Sequence, residues 1–168
     1  VHKGYFYDPT VVFRARPDAP PSLAVSMEFR DTDVAIMPTL PPIEDASGTL
    51  SIIDHRLAMT LDSGHVTAPI GGRIEMAGST MVIPHTGIPN ALSRFDLSLQ
   101  GRLTAAMAIL NLDPFNALRN SDLPVSFAQG LATIQVVLET PLGQDITPDQ
   151  RVWYASAQVR NVRSDLLI

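Results

Sequence analysis

The most constraining feature of the sequence is the stretch 43–84, in which short segments of alternating polarity are separated by turn residues. Within 57–62, for example, three apolar side chains alternate with three smaller or polar ones. Successive side chains of a β-strand point to opposite faces, so this pattern gives the strand one apolar face. Gly, Asp and Ser favour turns at 54–55, 62–64, 69–72 and 77–79. The stretch therefore predicts a β-meander with strands over 46–53, 57–62, 65–68, 72–76 and 80–84.

Four further segments alternate in the same way and predict strands over 22–36, 93–101, 125–140 and 151–162, with a split of the third near 129–130 as an alternative. Between 103 and 110 the period changes to that of one helical face, and the segment is rich in Ala. The face consists of Leu103, Ala106, Met107 and Leu110. We expect one short α-helix at about 102–112, ended by Pro114. The predicted fold class is mainly β, a curled antiparallel β-meander sheet with one short α-helix.

The domain boundaries are predicted from the loss of pattern at the N-terminus. Residues 1–21 are poorly patterned, with at most a short strand near 10–15, and a flexible end is an equal alternative. Residues 22–168 form one antiparallel sheet domain, because 168 residues suit one domain or one large repeat unit. The start at Val1 and the apolar end 166–168 suggest a segment cut from a longer, repeat-built protein.

A weak internal sequence similarity bears on the hypothesis that the parent protein is built from repeats. The segment 26–31 (SMEFRD) lines up in polarity with 156–161 (SAQVRN), 130 residues later. Any two amphipathic strands can look alike, so these residues alone favour chance. If the similarity reflects a true repeat, the next copy of the repeat unit begins near the C-terminal strand, as in stacked repeat architectures.

Composition excludes several classes of function. The net charge is −5 and Lys3 is the only lysine, which argues against a nucleic-acid partner. The chain has no Cys, so disulfides, thiol catalysis and cysteine metal sites are excluded, while the redox compartment stays open. The longest apolar run, 103–110, is far shorter than the ~20 residues of a membrane span, and no signal peptide is visible.

Few residues suggest catalysis, a metal or a cofactor. His55 and His65 flank the 57–62 strand, but a metal needs three or four converging ligands, and polar residues are common in turns. The serines lack a G-x-S-x-G elbow, and the carboxylates form no obvious acid–base pair. We therefore predict no catalytic residue, no metal site and no cofactor, and a protein that is not an enzyme.

The apolar face of the predicted sheet has two interpretations. In the first, the helix or a second sheet seals it as an ordinary core. In the second, part of it stays open as a groove for an apolar ligand. Both need the same alternation, so the sequence does not separate them, and pattern alone favours the sealed core.

Four segments carry a resemblance to a known family. They are 40–50 (LPPIEDASGTL), 57–66 (LAMTLDSGHV), 71–83 (GGRIEMAGSTMVI) and 97–110 (LSLQGRLTAAMAIL). In these segments the chain resembles the AsmA-like, YhdP-type envelope proteins of Gram-negative bacteria. The resemblance covers 22–112 well and the C-terminal strands loosely, and its motifs are structural rather than catalytic.

The resemblance implies a periplasmic segment of a parent protein anchored in the inner membrane. Such parents form a long, curled sheet with a hydrophobic groove and are thought to carry phospholipid towards the outer membrane. The implied partners are phospholipid or another acyl-chain ligand and neighbouring repeat segments, with membrane contact only through the parent. A structural or protein-interaction module of the envelope, with a closed core, is the alternative.

With the resemblance added, the open groove becomes the preferred interpretation, and the alternating apolar residues become candidate lipid contacts. The predicted lipid-binding residues are Leu23, Val25, Met27, Phe29, Leu50, Ile52, Leu57, Met59, Leu61, Val66, Ile74, Met76, Phe95, Leu97 and Leu99.

Overall fold

The chain forms one antiparallel sheet with a single short helix on it. The computed structural model describes residues 4–143 and 146–164, and nine strands lie within these ranges. The strands are β1 Tyr5–Arg16, β2 Ala19–Val34, β3 Ile43–Ile53, β4 Arg56–Thr67, β5 Arg73–Glu75, β6 Thr80–Ile83, β7 Leu92–Arg102, β8 Gln129–Pro141 and β9 Val152–Arg163. The helix α1 spans Leu103–Leu110, and a 3₁₀ turn covers Pro148–Gln150. The predicted mainly β, antiparallel fold with one short helix is confirmed.

Strands adjacent in sequence are adjacent in space, as in a meander. The order is β1-β2-β3-β4-β5-β7-β8-β9, and β6 also lies between β4 and β7. Segments β5 and β6 therefore share one strand position, interrupted by residues 76–79. The turn predicted at 77–79 does not reverse the chain. Ser79 is buried there, and its Oγ accepts a hydrogen bond of 3.0 Å from the backbone N–H of Ser98.

The N-terminal segment, which the sequence left without a clear pattern, forms a regular strand of the sheet. Its strand, β1, has 12 residues and pairs with β2, so Phe6 lies opposite Phe29 and Val11 opposite Val25. The prediction of a short strand at 10–15 was too cautious, and residues 4–21 belong to the first hairpin of the sheet. The prolines at 20 and 21 lie inside β2, which is tolerated because β3 ends its pairing at Ile53, opposite Ala24.

The turn predicted at 62–64 is also absent, because β4 runs through it as one strand. The pairing of β3 with β4 shifts register between Glu44 and Gly48, which makes this point a bulge. A bulge uses the same Gly and Ser residues as a turn but only bends the strand. The predicted strands 57–62 and 65–68 are therefore one strand.

Bulges fall in a row across the first strands. Asp8, Asp31 and Asp45 have φ values of 48°, 50° and 51°, and each lies at a register shift in β1, β2 and β3. Asp tolerates this left-handed conformation better than most residues. Because a bulge bends its strand and increases the local twist, the row bends the sheet along one line. In β9, Asn161 also has a left-handed φ of 54° and follows Arg160, as Asp31 follows Arg30.

Helix α1 lies over β5, β7 and β8. The sequence predicted one buried face, but six of its residues are buried: Leu103, Ala105, Ala106, Ala108, Ile109 and Leu110. A helix that is apolar on most sides needs cover on most sides. The loop after α1 supplies buried Phe115 and Ala128, and the 35–42 connection between β2 and β3 packs half-buried Ile36 and Leu40 against the same core.

Candidate functional site

The apolar side chains form continuous rows across the sheet. In an antiparallel sheet, directly opposed residues point to the same face. One such row crosses from β2 to β9 and consists of Met27, Leu50, Met59, Met81, Phe95, Leu138 and Trp153. A second row, one step along the strands, consists of Val11, Val25, Ile52, Leu57 and Ile83. Together the two rows make this face apolar from one edge of the sheet to the other.

Burial of this face changes along the strands. In β2, Leu23 is 49% exposed, Val25 and Met27 are half-buried, and Phe29 is only 2% exposed. In β4, Leu57 is half-buried whereas Leu61 is 2% exposed. The same apolar face is thus uncovered at one end of these strands and covered at the other.

We call the uncovered part the open strip and the covered part the closed half. The open strip consists of Leu23, Val25, Met27, Leu50, Ile52, Leu57, Met81 and Ile83, all half-buried or exposed. The closed half consists of Val66, Ile74, Met76, Leu97 and Leu99, all buried.

The closed half is packed by the protein itself. The space left there is about 40 Å³ and is lined by Ile36, Leu40, Ile109 and Phe115 from the covering segments, together with the closed half. A single liquid water occupies ≈ 30 Å³, so no acyl chain fits in this space. Covering elements and sheet interdigitate here as in an ordinary core.

The inner end of the open strip widens into a hollow of about 280 Å³. We call it the inner hollow. Its wall is almost entirely apolar: Phe6, Phe29, Thr32, Val34, Ala35, Ile36, Leu50, Met59, Met81, Ile83, Phe95 and Leu142. This volume is close to the lower end of the range for small-molecule pockets, ≈ 300–1,000 Å³.

The outer end of the open strip leads to a second hollow, of about 470 Å³. We call it the outer hollow. It is lined by Pro20, Pro21, Ser22, Leu23, Ile52, Asp54 and His55, so it is more polar than the inner one. From Leu23 at the outer end of the strip to Phe29 in the wall of the inner hollow, β2 spans about 20 Å, at ~3.3 Å per residue. One leaflet of bilayer hydrocarbon is ~15 Å thick, so the strip and the inner hollow together are long enough for one acyl chain.

The predicted lipid-binding residues divide between these regions. The open strip contains Leu23, Val25, Met27, Leu50, Ile52 and Leu57. Phe29, Met59 and Phe95 are buried but line the inner hollow, and Leu61 lies buried in the core beyond it. Val66, Ile74, Met76, Leu97 and Leu99 belong to the closed half and contact protein, so they do not line the strip.

Sequence reasoning missed several residues that line the inner hollow. Met81 and Ile83 alternate visibly within the predicted 80–84 strand and could have been found from that signal. Phe6 lies in the segment considered poorly patterned, and Leu142 lies in a connection without periodicity. Ile36 was placed at the end of the predicted 22–36 strand, but β2 ends at Val34 and Ile36 belongs to the connection that follows. Only the folded chain brings these last three to the hollow.

The opposite face of the sheet is polar and carries ion pairs. Arg94 donates to both carboxylate oxygens of Asp96 and, at 3.0 Å, to Glu139 on β8. The hydrogen bond to Asp96 is the main reason that the pKa of Arg94 is raised above its usual value. This face is suited to water, and it leaves the apolar face as the candidate for a ligand.

The histidines differ from one another. His65 is buried in β4, not in a solvated turn as the sequence suggested, and its Nε2 lies 3.1 Å from a carboxylate oxygen of Glu44. The alignment is too poor for a hydrogen bond, and Nε2 has no such partner among the described residues. His55 is exposed in the β3–β4 turn and stacks on His85. In residues 4–143 and 146–164, no three His, Asp or Glu side chains are grouped to hold a metal ion.

In the part of the chain that the structure describes, no helix is both long enough and apolar enough to cross a membrane. No protein-family model, curated protein or solved structure matches the chain.

Proposed function

We propose that this chain is a non-enzymatic, lipid-binding segment of a periplasmic conduit that carries phospholipid between the inner and outer membranes. The observation that carries the proposal is the change in burial along the strands, from 49% exposed at Leu23 to 2% at Phe29. A continuous apolar face that is only partly covered by its own chain is typical of a surface completed by a ligand.

The energetics favour an acyl chain on the open strip. Burying apolar surface is favourable by ~0.8 kcal/mol per CH₂ and needs no directed contacts. Side chains such as Met27, Leu50 and Met81 supply such surface without polar handles. A strip of this kind binds fatty tails by length and shape, and it lets them slide, which suits transport.

The edges of the sheet support the expected partners. All residues of β1 are exposed, and β9 is exposed except at Trp153. Within the described residues, each of these strands has a neighbour on one side only. Unpaired strand edges invite further strands. Neighbouring segments of the same parent chain would pair there and extend the apolar face at both ends.

A second candidate is a structural or protein-interaction module of the envelope. It is favoured by the closed half, in which α1 and the 35–42 connection pack as a normal core. In that case the open strip would be covered by another protein rather than by lipid.

The test is the lipid content of the purified protein. We expect native mass spectrometry and organic extraction to find acyl-chain lipid on the protein purified from a Gram-negative periplasm. Leu50→Asp places a charge in the open strip and should leave the protein folded but remove at least nine tenths of the lipid, since an unpaired charge against hydrocarbon is costly.

The matched control is Thr60→Asp, which adds the same charge to an exposed position of the neighbouring strand. Thr60 pairs with Thr49 and Thr80 on the polar face, so lipid content should not change. A wild-type protein that is consistently free of lipid, or equal lipid on both variants, would contradict the proposal and favour the protein-interaction module.

A further inference from the structure

The open strip has two unlike ends, and this fixes how an amphiphile would lie in it. At the inner end, Phe29 and Leu61 are 2% exposed, and beyond them the face is packed core. At the outer end, Leu23 is 49% exposed and the strip opens to solvent. A ligand with one polar end is best matched with its tail pointing inward, because the wall of the inner hollow is almost entirely apolar whereas the outer hollow offers polar groups to the head.

Two histidines lie at the outer end. His55 is the second residue of the two-residue turn between β3 and β4, and it lines the outer hollow beside Leu23 and Ile52. His85 follows Ile83, the last residue of β6, by two positions. The two imidazole rings stack, with centroids 4.7 Å apart and planes inclined by 14°.

The pair is held in place by backbone hydrogen bonds. The N–H of Thr86 donates to the carbonyl oxygen of His55 at 2.8 Å. The N–H of Gly87 donates to Nδ1 of His85 at 3.1 Å. Since Nδ1 accepts, the proton of the neutral ring lies on Nε2, so His85 presents an N–H donor.

We propose that the His55–His85 pair binds the head of the bound lipid and selects a head group with anionic oxygens, such as a phosphate or a carboxylate. The inference rests on the proposed function, because it needs an acyl chain in the open strip. Imidazole N–H groups and the hydroxyl of Ser22, which also lines the outer hollow, are donors suited to such oxygens. Asp54 shares the hollow and opposes an anion, while Arg56 follows in the same hairpin with the opposite charge.

The experiment compares two single-chain amphiphiles with the same tail, dodecyl phosphate and dodecyltrimethylammonium, by calorimetric titration below their micelle concentrations. The net charge of the protein is −5, so unspecific attraction favours the cation. We expect the phosphate to bind about tenfold more tightly, the size of one charge-assisted hydrogen bond. A carboxylate of the same tail then separates phosphate from carboxylate preference.

Three variants test whether the preference for the phosphate head group depends on the residues at the outer end of the strip. His85→Phe keeps a flat ring against His55 but removes the donor, and should bring the ratio of the two affinities close to one. His55→Asn keeps a residue that tolerates the left-handed φ of 70° and should lower the ratio several-fold. Asp54→Asn removes the opposing charge at a φ of 46°, which Asn also tolerates, and should raise it.

The outcomes separate the two proposals. If neither amphiphile binds, both the lipid-binding function and the head-group site are wrong. If both bind but the cation binds as well as or better than the phosphate, the open strip holds tails and the head-group site is overturned. The same holds if the phosphate preference survives both His85→Phe and His55→Asn.

Discussion

The open strip and the closed half lie on the same strands and are built from the same kinds of residue. Leu57 and Val66 both belong to β4, and both face the apolar side of the sheet, yet the first is half-buried and the second is 6% exposed. The difference lies in what crosses over them. The closed half is covered by α1, by the loop after it and by the 35–42 connection.

The lengths of the connections explain where the cover lies. Alternate connections of a meander fall at opposite ends of its strands. At the covered end, β2–β3 and β7–β8 are joined by residues 35–42 and 103–128, long enough to fold back over the face. At the open end, the strands that carry most of the strip are joined by only two residues each, at β1–β2 and β3–β4, and these can only reverse the chain. The other two connections at this end, 84–91 and 142–151, are longer, but they join β6 to β7 and β8 to β9, and the second brings Leu142 to the wall of the inner hollow. In this sheet the connections, not the strands, therefore decide which part of the apolar face remains uncovered.

The largest expected contrast comes from one charge placed in each region. Leu97→Asp puts a carboxylate where the side chain is 8% exposed, and the cost of several kcal/mol is comparable to the whole stability of a domain, ~5–15 kcal/mol. We expect Leu97→Asp to be unfolded and Leu50→Asp to be folded, by circular dichroism and urea denaturation. Unfolding of both would mean that the open strip is covered in solution. If both stay folded, the closed half opens easily.

A smaller loss of stability is expected from a substitution that disturbs the packing of α1 against residue 71. Gly71 has a φ of 94°, and a Cβ there would lie 2.5 Å from the backbone nitrogen of Ala105 in α1. Gly72 has a φ of 98°, but its Cβ would meet no described atom within 4 Å. Both Gly71→Ala and Gly72→Ala bear the left-handed strain, so their difference isolates the clash, which we expect to cost ~1–3 kcal/mol.

Chemical denaturation measures that difference, and hydrogen exchange of the α1 amides should increase in Gly71→Ala only. Equal stabilities and equal exchange would show that α1 does not depend on close contact with residue 71, and would weaken the distinction between covered and uncovered surface.

A third contrast comes from shortening one isoleucine in each region, and the variant in the open strip has the smallest expected effect on stability. Ile74 is 0% exposed, so Ile74→Ala should destabilise the fold by ~2–5 kcal/mol without changing the affinity for an acyl chain. Ile83 is half-buried in the open strip, so Ile83→Ala should cost ~1 kcal/mol of stability and weaken acyl-chain binding about fivefold. Titration with a fluorescent fatty acid checks both. The reverse assignment, with binding lost in Ile74→Ala, would exchange the roles of the two regions.

Much of the fold could be predicted from the sequence, because strand formation is read from local alternation. The positions of β2, β3, β7 and α1 agree with their predicted ranges to within a few residues. The errors have a common cause: Gly, Asp and Ser mark bulges as well as turns, and at 62–64 and 77–79 only the pairing of neighbouring strands distinguishes the two. The prolines at 20 and 21 were wrongly expected to lie outside any strand. A proline destabilises a strand only where its missing N–H would pair with a neighbour, and β3 does not extend to these positions.

The alternation in the sequence is enough to predict that one side of this sheet is apolar and the other polar, because the period of two in a strand sorts side chains onto faces without any tertiary contact. It did not determine where that apolar side is covered. Ile36, Phe115 and Leu142 come to the face from connections between the strands, and the distance between them in sequence is bridged only by folding. Folding therefore places Leu97 in the core and leaves Leu50 half-buried in the open strip, because covering a face depends on where distant segments pack, whereas making it apolar depends on sequence neighbours alone.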